Sequence, residues 1–281
     1  MTHSIRWLSL AILVLTLLAF SPSTAMAQGG EFSDDDYPES LTGPRLFSYT
    51  SFHLLVGTVF YNSQNLNDPD LSVITLNPGA TIGILPELSI DVDIWMDIIT
   101  GDQSDFTFSA FGTGLNYIFF NVKPVILTTG IGFRLINQSL SSTFSPDIFF
   151  LRPYLGSGIG VWRLYFSPYV GVPIYIDVNN DNDADPYPDR KAETSWMDRD
   201  PFGVDYGVPI SLLVWDPIYL TVEPSGLTFF YPETDTTLWI TPGILMRGGM
   251  FRMGLGVQIR LYPEGDSTDR WMIIGSAGVA F

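Results

Sequence analysis

The chain has 281 residues, 46% of them apolar, and carries 30 acidic side chains against 13 basic ones for a net charge of -17. That balance excludes nucleic acid as a partner, because Lys and Arg supply nearly all of the affinity for phosphates. Cysteine is absent, which excludes disulfides, thiolate metal sites, cysteine nucleophiles and cysteine-borne lipid anchors. Only 15% of the residues are charged, while 7 Trp, 13 Tyr and 20 Phe are present, so much apolar surface needs a neighbour other than water.

The first element is an export signal. Met1 to Arg6 is short and basic, Trp7 to Phe20 is an apolar run, and Ala25, Met26 and Ala27 form a small-x-small site before Gln28. A retained transmembrane helix needs about 18 to 20 apolar residues, and Ser21, Pro22 and Ser23 end this run too early. Residues 1–27 are therefore expected to be a cleaved signal peptide. Residues 28–45 hold Glu31, Asp34, Asp35, Asp36 and Glu39 with little to bury, so they read as an acidic flexible leader.

From Leu46 to Phe281 the apolar period is two. It is clearest in Leu88 to Thr100, where Leu88, Ile90, Val92, Ile94, Met96 and Ile98 alternate with Ser89, Asp91, Asp93, Trp95 and Asp97. A strand gathers those aspartates on one face, whereas a helix would scatter them around its circumference. Phe251 to Tyr262 repeats the pattern with Arg252 and Arg260 on the second face. Weaker alternation marks Leu46–Tyr61, Leu71–Leu85, Phe106–Phe120, Val125–Gln138, Ile148–Val161, Tyr165–Val178, Val204–Trp215, Ile218–Tyr231, Leu238–Arg247 and Trp271–Phe281. The total is twelve segments, with ten to fourteen admissible because Pro78, Pro153, Pro168, Pro173, Pro209, Pro224 and Pro242 fall inside them.

The connections sort into two alternating kinds. Asn62 to Asp70, Gly101 to Asp105, Ser139 to Asp147, Asn179 to Gly203, Pro232 to Thr237 and Pro263 to Asp269 are polar and mostly acidic, whereas those at Pro86, Asn121 to Lys123, Trp162 to Leu164, Asp216 to Pro217 and Gly248 to Met250 are tight turns. With an apolar face on every strand and sparse Gly, Ser, Thr and isolated charges on the other, the chain resembles the Gram-negative outer-membrane β-barrel proteins, in a porin-like form. The resemblance implies an all-β, antiparallel up-and-down transmembrane barrel with short periplasmic turns and longer extracellular loops. It also implies outer-membrane lipid, lipopolysaccharide and the barrel assembly machinery as partners. For that machinery the signal would be the last strand, with Trp271, Ile273, Ala277, Val279 and Phe281 on one face. Tyr61, Tyr117, Phe119, Phe120, Phe149, Tyr165, Tyr231, Trp239 and Trp271 are the expected interfacial aromatics.

An outward apolar face sends Asp91, Asp93, Asp97, Arg134, Arg152, Glu223, Arg252 and Arg260 into the lumen as pore-lining residues. The expectation is that Asp97 faces Arg134, Arg152 and Arg260 across a narrow pore, an arrangement that resembles the eyelet of general porins. The alternative is mutual neutralisation as a structural network. In the longest loop, Asp177, Asn179, Asp181, Asp183 and Asp185 place oxygen ligands at every second position, which resembles part of a calcium loop. No Gly makes the sharp turn, and Pro188 stands where a twelve-residue loop needs its bidentate acid, so a solvated acidic loop is the plainer reading. Catalysis has little support: only His53 survives signal removal, near Ser51, with no third partner indicated. The expected function is a non-enzymatic channel for passive diffusion of small hydrophilic solutes, without a cofactor. The alternative is a closed barrel acting at the surface through its loops.

Overall fold

The computed structural model describes residues 37–44, 46, 50–60, 72–100, 105–137, 148–177, 202–230, 234–262 and 271–281. No helix there is long and apolar enough to cross a membrane. The strands are β1 (Ser51–Phe60), β2 (Ser72–Leu85), β3 (Leu88–Thr100), β4 (Asp105–Val122), β5 (Val125–Ile136), β6 (Ile148–Val161), β7 (Leu164–Phe166), β8 (Tyr169–Gly171), β9 (Ile174–Asp177), β10 (Gly203–Gly207), β11 (Ile210–Trp215), β12 (Ile218–Phe229), β13 (Asp235–Gly248), β14 (Phe251–Tyr262) and β15 (Trp271–Ala280). β7, β8 and β9 are successive pieces of one crossing, and β10 and β11 are pieces of another. The wall therefore has twelve staves, all antiparallel.

β1 pairs with β15, Ser51 opposite Ala280, so the sheet closes on itself. Closure follows from the solvent outside. Lipid offers no hydrogen bonds to an exposed strand edge, and a closed ladder has no edge. The interruptions coincide with prolines. Pro168 separates β7 from β8, Pro173 separates β8 from β9, and Pro209 separates β10 from β11. Each lacks a donor but keeps its acceptor: the amides of Ser157, Gly203 and Ser167 donate to the carbonyls of Pro168, Pro173 and Pro209. Pro78, Pro153, Pro224 and Pro242 remain inside β2, β6, β12 and β13.

The five tight connections close one end of the barrel, as the sequence predicts, and the left-handed backbone of Gly249, with φ of 58°, makes the turn between β13 and β14. The polar connections all leave from the other end. Alternation decides which face is wet. In β4, Phe106, Phe108, Phe111, Leu115, Tyr117 and Phe119 are exposed outward, while Thr107, Asn116 and Ile118 are buried inward.

Several aromatics mark the rims. Tyr117, Phe119, Phe120 and Trp271 are exposed on the outer surface, as expected. Phe52, Trp162, Trp215 (76% exposed), Phe251 and Phe281 (71% exposed) extend the turn-end rim beyond the residues named from sequence. Two of the expected residues turn inward instead. Tyr165 packs edge-on against Tyr37 and Tyr219, and Trp239 lines a cavity within the barrel. Both follow from unbroken alternation: Tyr165 shares the inward parity of Ser167, Tyr169 and Tyr175, and Trp239 shares that of Thr241 and Arg247. Tyr61 and Tyr231 lie outside the described residues.

Candidate functional site: the barrel lumen

Strand parity brings Asp91, Asp93 and Asp97 inward on β3. They do not face a cation across open space. Asp91 accepts from Thr81 Oγ1 and Asp97 from Thr75 Oγ1, each at 2.6 Å from the neighbouring strand. Asp93 lies 3.7 Å from the Arg134 guanidinium, which arrives from β5. β4 separates the two, and they meet because Gly112 stands between them: a Cβ there would overlap the Asp93 carboxylate. Gly112→Ala should therefore displace Asp93 and cost about 1–3 kcal/mol through overpacking, measured as a lower urea midpoint of the refolded barrel. An unchanged midpoint would sink this account of the contact.

Arg134 also lies 4.5 Å over the Trp95 ring and 5.5 Å over Phe150. Arg152 donates through Nε and Nη2 to Asp205 on β10, a two-pronged pair. Its guanidinium is 5.7 Å from the rings of Tyr154 and Tyr169. Asp97 makes no ion pair among the described residues, so the expected facing of Asp97 with Arg134, Arg152 and Arg260 is replaced by pairing along the wall. The reason is distance: strands on either side of a third lie about 10 Å apart, two steps of about 4.8 Å, which two long side chains can span over an intervening glycine, whereas the bore is wider. Above this belt, a cavity of about 360 Å³ is lined by Arg134, Arg152, Tyr175, Asp205, Trp239 and Gln258. A second of about 210 Å³ lies beside His53, Asp91 and Asp93.

The turn end of the lumen is filled by the chain itself. Residues 37–44, expected within a flexible leader, and Leu46, expected to begin the first strand, lie inside the bore, with Tyr37 fully buried and Leu41 and Leu46 nearly so. Glu223 is the anchor and is 0% exposed. Its carboxylate accepts from Leu41 N at 2.8 Å, Thr42 N at 2.9 Å, Thr42 Oγ1 at 2.7 Å and Ser40 Oγ at 2.8 Å. The Ser40 hydroxyl in turn accepts from the amides of Thr42 and Gly43, folding the segment into a compact side-chain-closed turn. Glu223 is thus not a bare pore charge. Arg252 likewise pairs with Glu39 at 2.6 Å, and Arg247 donates to the Tyr37 carbonyl.

Tyr37 donates its hydroxyl to the Phe166 carbonyl and accepts from Ile159 N and Ser167 Oγ. Burial pushes its phenol up to about 12, so it stays a neutral donor at physiological pH. Apolar anchors complete the seat. Tyr37 and Leu46 pack with Ile118 and Ile126, and Leu41 packs with Tyr219 and Leu245. Leu41 occupies a hollow made by glycines: a Cβ on Gly243, Gly254 or Gly256 would come within 2.8, 2.5 or 2.7 Å of it. Gly158 opens the equivalent space for Leu46 and Tyr37. These seats on β5–β6 and β13–β14 are nearly opposite in the ring of staves, so the segment crosses the bore.

Sequence reasoning missed Asp205, Arg247 and this segment. The available signal was Tyr37 and Leu41, apolar residues in an acidic leader, with Leu46 just beyond it, against the inward glycines Gly254 and Gly256 of β14. Asn179, Asp181, Asp183 and Asp185 lie outside the described residues, and of Asp177 only the backbone at the end of β9 is described. Trp271, Ile273, Ala277, Val279 and Phe281 share the outward parity of the closing strand. Ser51 is buried opposite Thr81, and His53 is opposite Gly79 on the same inward side of β1.

No family model matches the chain, and no curated protein matches it. Solved structures match over most of its length. An outer membrane channel from Pseudomonas putida F1 is 9% identical, with a TM-score of 0.55 over 89% of this chain and 100% of that one. The NanC porin is 7% identical, with a TM-score of 0.54 over 82% of this chain and 98% of that one. At such identity the likeness is one of fold, and that fold, a closed twelve-strand antiparallel barrel, is the one found in Gram-negative outer-membrane channels and porins.

Proposed function

We propose that the protein is an outer-membrane channel for passive diffusion of small hydrophilic solutes, delivered by a cleaved signal peptide and inserted by the barrel assembly machinery. The observation that carries this reading is the contrast between the two faces of one wall. The outside is a continuous apolar belt, while the inside above Thr42 holds charged and hydroxylated side chains around cavities of about 360 and 210 Å³. Lumen charges are costly unless paired or watered, and here the pairs run along the wall beside the two cavities. The acidic loops at the far end favour cations and neutral solutes at the entrance.

The test is single-channel recording of the refolded mature protein in a planar bilayer. Discrete conductance steps are expected. Changing Asp91, Asp93 and Asp97 together to Asn should move the reversal potential toward anion preference, and an unmoved potential would remove these residues from the conduction path. A second reading has one observation in its favour, the segment lying across the turn end of the bore. It makes the barrel a closed support for its loops, and silence in every bilayer recording would favour it.

A further inference from the structure

We propose that the turn end of the lumen is a peptide-binding site whose resident ligand, residues 37–44 with Leu46, is a releasable stopper of the channel. This rests on the channel reading and adds its regulation.

Three observations make the segment a ligand rather than part of the wall. It joins none of the strand ladders, so it can leave without breaking a β-pair. It is seated by complementarity instead: a carboxylate with four donors converging on it at Glu223, a guanidinium for an acidic side chain at Arg252, and glycine-walled hollows for Leu41 and for Tyr37 with Leu46. A peptide of the form aromatic-x-acid-Ser-Leu-Thr, turned at Ser40–Gly43, meets each of these. Main-chain donors on a carboxylate and side chains in shaped hollows are general devices of peptide recognition.

The third observation concerns what the occupied state costs. The hydroxyls of Ser89, Thr128 and Thr241 are buried on the inner wall with no hydrogen-bond partner among the described residues. Thr128 Oγ1 lies 2.9 Å from where a Cβ on Gly156 would stand, a point 3.6 Å from Leu46 and 3.7 Å from Pro44, and the Thr241 side chain shares with Leu41 the space beside Gly256, its methyl nearest. A wall meant to stay dry under a permanent apolar plug would hold apolar side chains there. Hydroxyls are satisfied when water replaces the peptide, so they narrow the free-energy gap between the seated and the released segment.

The test uses the full chain. Tyr37→Ser with Leu41→Ser removes the stopper's anchors and leaves the site intact. The expected result is an open probability at least tenfold that of the wild type. A synthetic peptide of residues 37–46 should then restore block from the turn side of the bilayer only, and the same peptide carrying both serines should not. Because the chain has no native cysteine, Leu41→Cys with Gly254→Cys can be joined by a short disulfide-containing crosslinker; joined channels should stay closed, and channels whose linker disulfide has been cleaved by a reductant should open.

If the serine variant gates like the wild type and the labelled peptide does not bind it, the stopper is overturned while the channel stands. If neither barrel conducts, yet the peptide binds the serine variant and not the wild type, the channel reading falls and the peptide site remains. Equal conductance of crosslinked and reduced channels overturns the stopper even if the serine variant fails to fold.

Discussion

Replacing Glu223 by Gln is expected to weaken the seating of residues 37–46 by about 2–4 kcal/mol while leaving the barrel closed. The carboxylate accepts four hydrogen bonds from the segment, two of them from backbone amides. Bonds to a charged acceptor contribute about 1.5–3 kcal/mol each and neutral ones about 0.5–1.5. An amide also turns a donor toward the N–H groups of Leu41 and Thr42. The four bonds share one acceptor and are not additive, hence a total below their sum. The readout is hydrogen exchange at the Leu41 and Thr42 amides, which should rise by on the order of 30-fold or more, since each 1.4 kcal/mol is a factor of ten. The ladders of β1 and β15 should exchange as before. Uniform loosening of the barrel would show that Glu223 supports the wall rather than the segment.

Asp205→Ala carries the second large effect, a loss of about 2–4 kcal/mol in barrel stability. Arg152 and Asp205 form a two-pronged pair from β6 and β10, strands that β8 separates. Truncating the acid leaves Arg152 with no anion on its fork, and stranding a largely buried charge costs more than the pair was worth. Gly171 lies under the pair, and a Cβ there would overlap Asp205, so position 171 itself has no room for a side chain. The double change Arg152→Met with Asp205→Leu should recover part of the loss, because it removes both charges. A double change no more stable than Asp205→Ala would mean that packing around Gly171 rather than charge sets the cost.

Much of the fold was legible because membrane barrels are governed by a short-range rule. Side chains alternate along each strand, and the outside must be apolar. Leu88 to Thr100 and Phe251 to Tyr262 therefore declare their strand type and facing without reference to any partner. The tight turns at Pro86 and Gly249 and the polar loops opposite them likewise reveal which end is which. The prolines were correctly suspected, and Pro168, Pro173 and Pro209 interrupt staves rather than deleting them, since each still offers its carbonyl to the ladder.

Pairing in the lumen was not legible. That Asp93 meets Arg134 depends on the register of β3, β4 and β5 placing Gly112 between them, and register is a long-range property. Asp205 sits near the longest connection, and nothing local distinguishes it from the acids of that loop. The leader was misjudged for a related reason. A few apolar side chains are too few to fold alone, so composition assigns no structure to residues 28–45 and alternation places Leu46 in the first strand. Only the closed barrel supplies the glycine hollows, the Glu223 carboxylate and the Arg252 guanidinium that make burial of Tyr37, Leu41 and Leu46 favourable. Sequence by itself determined the barrel, its facing and its polarity, because those depend on periodicity against a lipid solvent. Tertiary structure alone decided what fills the bore, because that depends on side chains from opposite staves meeting across it.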